Sequence, residues 1–289
     1  MHRIDTSTAQ VDKFGAGKNG FTGGNPQTGE LPTALDADFF DSVQEEIAGL
    51  IESAGLSLNK TKNNQLSEAI KNLVGNGRLI NVQIFTVSGK YTPTPGTTSV
   101  VVEVQGAGGG SGGIGSAGGS TVSMGNGGSG GGYAKSRLST GFTGGIQITV
   151  GLGGSGGNLA PTNGSDGGLS SFGSLIVANG GRGGISQAQV APTFSATGSL
   201  GGVATGGNLL NIRGGPSSNG ACLSTTSVLP GNGGGSQLGT GGLSPANNTT
   251  TVYGGEGYGG GGGGGYAFNR SGNSGSPGAS GVVIIWEYA

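Results

Sequence analysis

Few side chains of this sequence could carry out catalysis, and their types and spacing argue against a hydrolytic site. The only histidine is His2, so neither a Ser-His-Asp triad nor a histidine-based zinc site is expected. Beyond residue 78 the carboxylates are Glu103, Asp166, Glu256 and Glu287. Glycan cleavage needs two carboxylates at short range, and two of these four fall in strand-like segments, where we expect structural roles. We therefore predict a protein that is not an enzyme and that uses no metal or cofactor.

The other chemically suggestive motifs are equally weak. Cys222 is the only cysteine and has no basic neighbour nearer in sequence than Arg213, which indicates a small buried or loop residue. The segment "FGAGKNG" is not a phosphate-binding loop, because Asp12, two residues before it, stands where the first glycine is needed and no serine or threonine follows Lys18. Arg182 and Arg213 lie beside glycines, as in RNA-binding RGG segments. A formal net charge of −1 gives no electrostatic footprint for nucleic acid, so none is expected as a partner.

The elements that would position any site differ between two parts of the chain. Glycine supplies 72 of 289 residues, and most of it follows a composition shift at Gly75-Asn76-Gly77, which predicts domains at 1–78 and 79–289. The first part reads as an extended arm and two helices, with apolar residues at a 3.6-residue period in "FFDSVQEEIAGLI" and "LSEAIKNLV". The arm is either a flexible leader or a segment that orders against a larger assembly. Two short helices bury little surface alone, so we expect this part to oligomerise or dock.

Strand-like segments, rich in β-branched and aromatic residues, alternate with glycine-dense ones in the second part. If successive strands alternate in direction, three glycine-rich excursions, at 106–132, 151–168 and 179–281, all leave from one end of an antiparallel sheet. The short turns then lie at the other end. The strand-like segments are 82–92, 99–104, 133–139, 146–150, 169–172, 174–178 and 282–288.

Glycine segments with both ends tied to a sheet are either flexible linkers or ordered rods. Glycine disfavours helix and strand, but left-handed polyproline-type helices, with about three residues per turn and no internal hydrogen bonds, can pack side by side where a Cβ is absent. We expect the run Gly259 to Gly265 to be an interior rod that feeds the last strand. The predicted fold is mainly β with a small α-helical N-terminal domain. Its antiparallel, β-sandwich-like sheet carries a bundle of polyglycine-type helices.

The non-glycine patches between such rods would face away from the sheet, and an exposed apolar surface usually marks a contact site. The patches are 114–124, 158–163, 185–197, 208–230 and 243–253. Tyr253, Tyr258 and Tyr266 could stack on sugar rings or pack on the bundle's flank, and "YAFNR" reads as a short strand or a surface patch. The candidate contact residues are Val122, Met124, Leu159, Asn163, Gln189, Phe194, Leu209, Leu210, Arg213, Leu223, Asn247, Asn248 and Tyr253.

Two stretches resemble known proteins. "MHRIDTSTAQVDKFGAGKNGFTGGNPQTGE" with "FFDSVQEEIAGLIE" resembles the N-terminal region of tail fibre proteins in Mu-like contractile-tailed phages, prophages and phage-derived bacteriocins. The stretch from "FTVSGKYTPTPGTTSVVVEVQGAGGG" to "GASGVVIIWEYA" resembles the glycine-rich tip domain of phage fibres and adhesins.

The resemblance implies a homotrimeric tail fibre in the virion, made in the host cytoplasm and released by lysis. Residues 1–78 would attach to a baseplate protein, and the far end would bind a bacterial surface receptor, either lipopolysaccharide or an outer-membrane protein. No membrane insertion is expected, because no stretch has 18 apolar residues in a row. The alternative is a purely structural fibre or tip-capping component without receptor binding.

Overall fold

The computed structural model describes residues 2–75 and 77–289, and the chain divides into two compact units, Met1–Arg78 and Leu79–Ala289. Asn76, within the predicted composition boundary, lies outside the described residues. Strands dominate the described chain and helices are confined to the first unit, so the predicted fold class is confirmed.

The first unit combines an arm with two helices, α1 (Ala37–Ser53) and α2 (Gln65–Gly75). The arm is not extended as predicted, because it folds into turns that the antiparallel bridges Gln10–Gly20 and Asn25–Glu30 close. The carboxylate of Asp36 accepts a hydrogen bond from the Asp38 N–H and caps the start of α1. Ile51 and Ala69 are buried, whereas most large apolar side chains of both helices stay partly exposed. The helices therefore form as predicted but leave apolar surface uncovered.

The second unit contains all the strands found in the described residues. They are β1 (Leu79–Phe85), β2 (Gly89–Tyr91), β3 (Ser99–Gln105), β4 (Val122–Gly125), β5 (Tyr133–Leu138), β6 (Ile146–Thr149), β7 (Ser170–Phe172), β8 (Ile176–Ala178), β9 (Ser186–Val190), β10 (Phe194–Ala196), β11 (Ala204–Thr205), β12 (Leu210–Ile212), β13 (Gly220–Cys222), β14 (Val228–Leu229), β15 (Leu238–Thr240), β16 (Glu256–Tyr258), β17 (Gly265–Ala267) and β18 (Val282–Tyr288).

Two five-stranded sheets form a sandwich that we call the scaffold, with strand orders β1-β18-β3-β5-β12 and β11-β8-β7-β6-β2. Val102 and Ile285 of the first sheet and Tyr91, Ile148 and Phe172 of the second belong to one fully buried core. The pairs β3–β18, β3–β5, β6–β7 and β7–β8 are antiparallel, as the alternating strand directions predict.

The third glycine-rich excursion, predicted as one segment over 179–281, returns to the scaffold midway. β11 pairs with β8 and β12 pairs with β5, so residues 204–212 lie at the scaffold. Strands of two and three residues are too short to show a period, which is why the sequence did not reveal them. Further along, "YAFNR" contributes to β17, which pairs with β4.

Candidate functional site: a bundle of glycine rods and its far loops

The glycine-rich segments that leave the scaffold, here called rods, bond to one another through their backbones. The first rod, 106–114, follows β3, and its hydrogen bonds repeat every three residues. The N–H groups of Gly108, Ser111 and Ile114 donate to carbonyls of segment 273–279 at N···O distances of 2.9 to 3.0 Å. This repeat is that of a polyproline-type helix, with about three residues per turn and no bonds inside the rod.

Five other neighbours complete the shell around the first rod. Its intervening N–H groups donate to the second rod, 126–132, and to segment 162–168. Its carbonyls accept from segments 151–157, 179–185 and 259–265. Residues 106–114 are buried throughout, so their backbone groups need these partners, and the rods form one cross-bonded bundle.

Glycine is required in the inner rods because neighbouring backbones approach too closely for a side chain. A Cβ placed on Gly108 would lie 1.9 Å from the carbonyl oxygen of Gly260, and one on Gly131 would lie 2.0 Å from that of Gly106. Gly235, on an outer rod, has its nearest such atom at 3.6 Å. Close approach therefore decides which glycines are irreplaceable.

Serine is tolerated at inner positions where its hydroxyl can bond. The Ser111 and Ser276 hydroxyl oxygens lie 3.2 Å apart, and Ser276 Oγ donates to the Gly263 carbonyl at 2.6 Å. Ser129 Oγ donates to the Leu200 carbonyl at 2.8 Å. All three serines are buried, so these bonds add cross-links between rods.

The run of seven glycines is an interior rod. Gly259 to Gly265 are buried, and the N–H groups of Gly261 and Gly264 donate to Gly234 and Gly231 at 2.9 and 3.0 Å. The expectation that this run feeds the last strand directly is wrong. The run ends in β17 at the end of the bundle that lies away from the scaffold, here called the far end. A separate rod, 272–281, leads back to β18.

The far end has its own folded core. Two three-stranded sheets, β17-β4-β9 and β10-β13-β14, lie there. Val122, Met124, Cys222 and Tyr266 are buried in one cluster, against which Phe194 packs. Burial raises the pKa of the Cys222 thiol. Val122 and Met124 therefore lack the exposure that a contact residue needs, and Tyr266 packs in this core.

Arg270 holds loops of the far end together, a role that the sequence did not suggest. Its Nε donates to Asn248 Oδ1 at 2.7 Å, and its guanidinium also donates to the carbonyls of Thr249 and Tyr266. The Asn248 amide bonds in turn to the backbone of Phe268. Asn248, predicted as a contact residue, is thus engaged in this network.

Several predicted contact residues reach the surface of the loops at the far end of the bundle, here called the far loops. Leu159 and Leu223 have 58% and 63% of their surface exposed. Gln189 and Asn247 are exposed, and Asn163 is exposed while its Oδ1 accepts from the Ser186 N–H at 2.9 Å. Their contact with a receptor stays a prediction.

Three predicted contact residues lie elsewhere. Leu210 pairs with Lys135 of β5, and the N–H of Leu209 donates to the Lys135 carbonyl. Arg213 lines a flank groove with Arg182 and donates to the Gly201 carbonyl at 3.2 Å. The expectation that these three share a far loop is wrong in position, because β12 draws them to the scaffold.

Tyr253 lies on the flank of the bundle, in a groove of about 280 Å³ with Thr240, Leu243 and Glu256. Half of its surface, 51%, is exposed. Tyr258 is half-buried in β16. Of the three tyrosines considered for sugar stacking, Tyr253 is the one with an open ring.

Two of the four carboxylates beyond residue 78 are bound within the scaffold. Buried Glu287 accepts from Tyr91 Oη at 2.8 Å and from the N–H and hydroxyl of Thr94 at 3.0 and 2.6 Å. Glu103 pairs with Lys135 at 2.9 Å and accepts from Tyr133. Burial, together with the Glu103 charge and hydrogen bond, raises the pKa of Tyr133. These contacts agree with structural roles for both carboxylates.

The arm brings together one cluster that the sequence did not suggest. Within the described residues, His2, Asp5 and Asp36 each offer one atom that could ligate a metal ion, and these three atoms lie within 4.8 Å of one another. His2 Nε2 lies 3.8 Å from Asp36 Oδ2, and the His2 ring packs edge-on against Phe39. These contacts tie the start of the arm to the start of α1.

Neither helix in the described part of the chain has the length and apolar content needed to cross a bilayer.

Comparison with known proteins gives a family and a relative. The family model described as "Glycine-rich domain" matches residues 86–288. The Uncharacterized protein StfP of Escherichia coli (strain K12) is 60% identical over 74 residues, which cover 26% of this chain and 35% of the relative. The chain thus spans about a third of that relative's length.

Proposed function

Because the chain belongs to the glycine-rich domain family, we propose that it is a phage or bacteriocin tail fibre protein whose far loops adhere to the surface of a bacterial host. The observation that carries the proposal is the cross-bonded bundle of buried rods. Loops mounted on a rigid support lose little conformational entropy on binding. The bundle thereby acts as a stalk for recognition loops.

The proposed adhesion is made of many weak contacts. Exposed leucines such as Leu159 and Leu223 and uncharged amides such as Asn247 supply apolar and hydrogen-bonding surface. The proposed receptor is lipopolysaccharide or an outer-membrane protein. The loops would be present in several copies, both within a homotrimer and on the fibres of one particle. Once one copy is bound, the others bind at a high effective concentration, so weak contacts add up to firm adhesion.

In this proposal the first unit attaches the fibre to a baseplate protein and the protein resides in the virion tail. The resemblance of residues 1–75 to tail fibre N-terminal regions and the apolar surface left open on α1 and α2 support that role. Removal of the attachment would leave adhesion intact but release the fibre from the particle.

We further propose that the fibre binds without cutting. Glu103 and Glu287 are engaged in scaffold hydrogen bonds, which leaves them poorly placed to act as an acid and a nucleophile on a glycan. Incubation of target cells with the purified protein should release no oligosaccharide, as measured by mass spectrometry of the supernatant. Released oligosaccharide would overturn this part of the proposal.

Adhesion is tested with the full chain, fluorescently labelled through surface lysines, on a panel of enteric bacteria that includes Escherichia coli K-12. We expect binding to at least one strain. Leu159→Asp with Leu223→Asp, at the far loops, should abolish binding. Leu175→Asp, exposed at the scaffold between β7 and β8, should not. The same cells treated with protease separate a protein receptor from lipopolysaccharide.

Two outcomes would contradict adhesion by the far loops. Failure of the wild-type chain to bind any strain would favour a structural or tip-capping component. Equal loss of binding in the far-loop and scaffold variants would place the contact elsewhere. Thermal unfolding of each variant shows whether a loss reflects misfolding.

A further inference from the structure

The groove beside Tyr253 lies on the flank of the bundle, between two antiparallel segments, 240–243 and 253–256. Thr240 and Glu256 pair directly across β15 and β16. Leu243 and Tyr253 lie three residues further from this pair, on facing segments. One wall therefore carries a hydroxyl and an aliphatic group, and the other a carboxylate and an aromatic ring.

The floor of this groove is glycine backbone held on the interior rod. The Gly242 N–H donates to Gly261, and the Gly263 N–H donates to the Tyr253 carbonyl, both at 2.8 Å. Gly241 and Gly254 add no side chain between the walls. The depression thus exists because side chains are missing, and its shape is fixed by hydrogen bonds to a buried rod.

The polar side chains at the rim have no partner among the residues that the structure describes. Within the described residues, the Tyr253 hydroxyl, the Thr240 hydroxyl and the Glu256 carboxylate make no hydrogen bond or ion pair, in contrast with Glu103 and Glu287. Leu243 is 69% exposed, and Tyr253 is 51% exposed. Apolar surface and free acceptors thus occur together at one place.

This combination matches a sugar ring. A pyranose has an apolar C–H face, which packs on an aromatic ring and an aliphatic side chain, and hydroxyl donors, which a carboxylate accepts in pairs. The single negative charge disfavours phosphorylated or acidic sugars. The volume of about 280 Å³ lies just below the usual range of small-molecule sites, about 300 to 1,000 Å³, and therefore suits one ring.

We propose that this groove binds one neutral hexose unit of a bacterial surface glycan. The proposal deepens the adhesive function proposed above and, for its biological role, rests on it. The groove lies on the flank and holds a defined ring, whereas the far loops make dispersed contacts. It would add a second point of attachment along a glycan chain that passes the tip.

The test is saturation-transfer NMR on the full chain with the methyl glycosides of glucose, galactose, mannose and N-acetylglucosamine. We expect at least one to give signals, strongest on the C–H protons of one ring face, with a dissociation constant in the millimolar range. Tyr253→Ala should weaken binding about tenfold, since it removes the stacking surface. Glu256→Gln should weaken it about threefold or more, because a neutral acceptor replaces a charged one.

Matched controls separate the groove from the rest of the flank. Leu243→Ala should weaken binding, whereas Leu200→Ala, a leucine 57% exposed beside a different groove, should not. Tyr253→Phe keeps the ring and should retain most of the binding, which guards against loss through misfolding.

Absence of signal from all four glycosides would overturn the proposal, as would binding that Tyr253→Ala leaves unchanged. Failure of this inference is distinguishable from failure of the adhesive function. Wild-type adhesion to cells without any glycoside signal overturns the groove alone. A glycoside signal that depends on Tyr253, with no adhesion to any strain, overturns the adhesive function and leaves the groove standing.

Discussion

At the scale of single residues, the bundle depends on positions where no Cβ fits. Gly108→Ala would place a methyl group 1.9 Å from the Gly260 carbonyl oxygen, and that oxygen belongs to backbone that cannot rotate away. We expect a loss of about 3 kcal/mol or more in unfolding free energy, because two rods must separate and their hydrogen bonds lengthen. Urea unfolding followed by circular dichroism measures it.

Gly235→Ala is the matched control, since its nearest foreign atom lies 3.6 Å from the added methyl group. This change should be neutral or stabilise by about 0.5 kcal/mol, because alanine lowers the conformational entropy of the unfolded chain. Equal effects at the two positions would contradict close packing of the rods.

Glu287 makes the stability of the scaffold depend on pH. Burial alone would raise its pKa, but hydrogen bonds from Thr94, Tyr91 and Gln83 outweigh burial and hold the pKa below the ordinary value of 4.5. The unfolded chain therefore takes up the proton first. The stabilisation by Glu287 is present above pH 4.5 and is lost as the pH falls through the lower folded value.

Glu287→Gln removes this contribution. The variant should be less stable than the wild type at pH 7, and the two thermal midpoints should approach each other as the pH falls below 4.5. Midpoints that stay parallel over this range would show that the pKa of Glu287 is the same in both states. The other carboxylates are common to both proteins and cancel in the comparison.

Residue identity alone could not separate contact residues from core residues at the far end. Val122 and Met124 stand in a segment that looks like a loop, yet they pair in β4 and pack against Cys222 and Tyr266. The partner strands β9 and β17 are distant in sequence, so no local pattern reveals the burial. By contrast, Leu159 and Leu223 are exposed as predicted, because no element of the described chain covers them.

At the scale of elements, the rods should protect their backbone amides from hydrogen exchange. The N–H groups of Gly261 and Gly264 are buried and bonded to a neighbouring rod. They should exchange as slowly as amides of β3, because opening one rod exposes the backbone of several neighbours. Amides of the exposed loop 118–120 should exchange rapidly. Hydrogen exchange with peptide mass spectrometry resolves both, and rapid exchange over 259–265 would end the rod interpretation.

Glycine placement and strand alternation predicted the sandwich, the rods and the end of the sheet from which the rods leave. The returns of the chain to the scaffold at β11 and β12 could not be predicted from the sequence. Their residues pair with strands far away in sequence, Ala204 with Ala178 and Ile212 with Tyr133. Short strands of this kind are stable only through tertiary pairing, which no local propensity encodes.

At the scale of the whole molecule, the open apolar surface of the first unit argues for assembly. Ile47 of α1 and Ile70 of α2 are 42% and 47% exposed, and Val74 is 64% exposed. Helices this short draw their stability from burial of such faces. We expect the full chain to form a homotrimer, with three times the chain mass in native mass spectrometry.

Ile47→Asp tests whether this surface holds the copies together. A charge at the centre of an apolar interface is strongly disfavoured, so the variant should dissociate at micromolar concentration. Ser42→Asp adds the same charge elsewhere on α1 and should leave the assembly intact. A wild-type chain with the mass of a single copy, or an Ile47→Asp variant that remains trimeric, would show that something other than a second copy covers these helices. Multivalent binding by the loops would then depend only on the number of fibres on one particle.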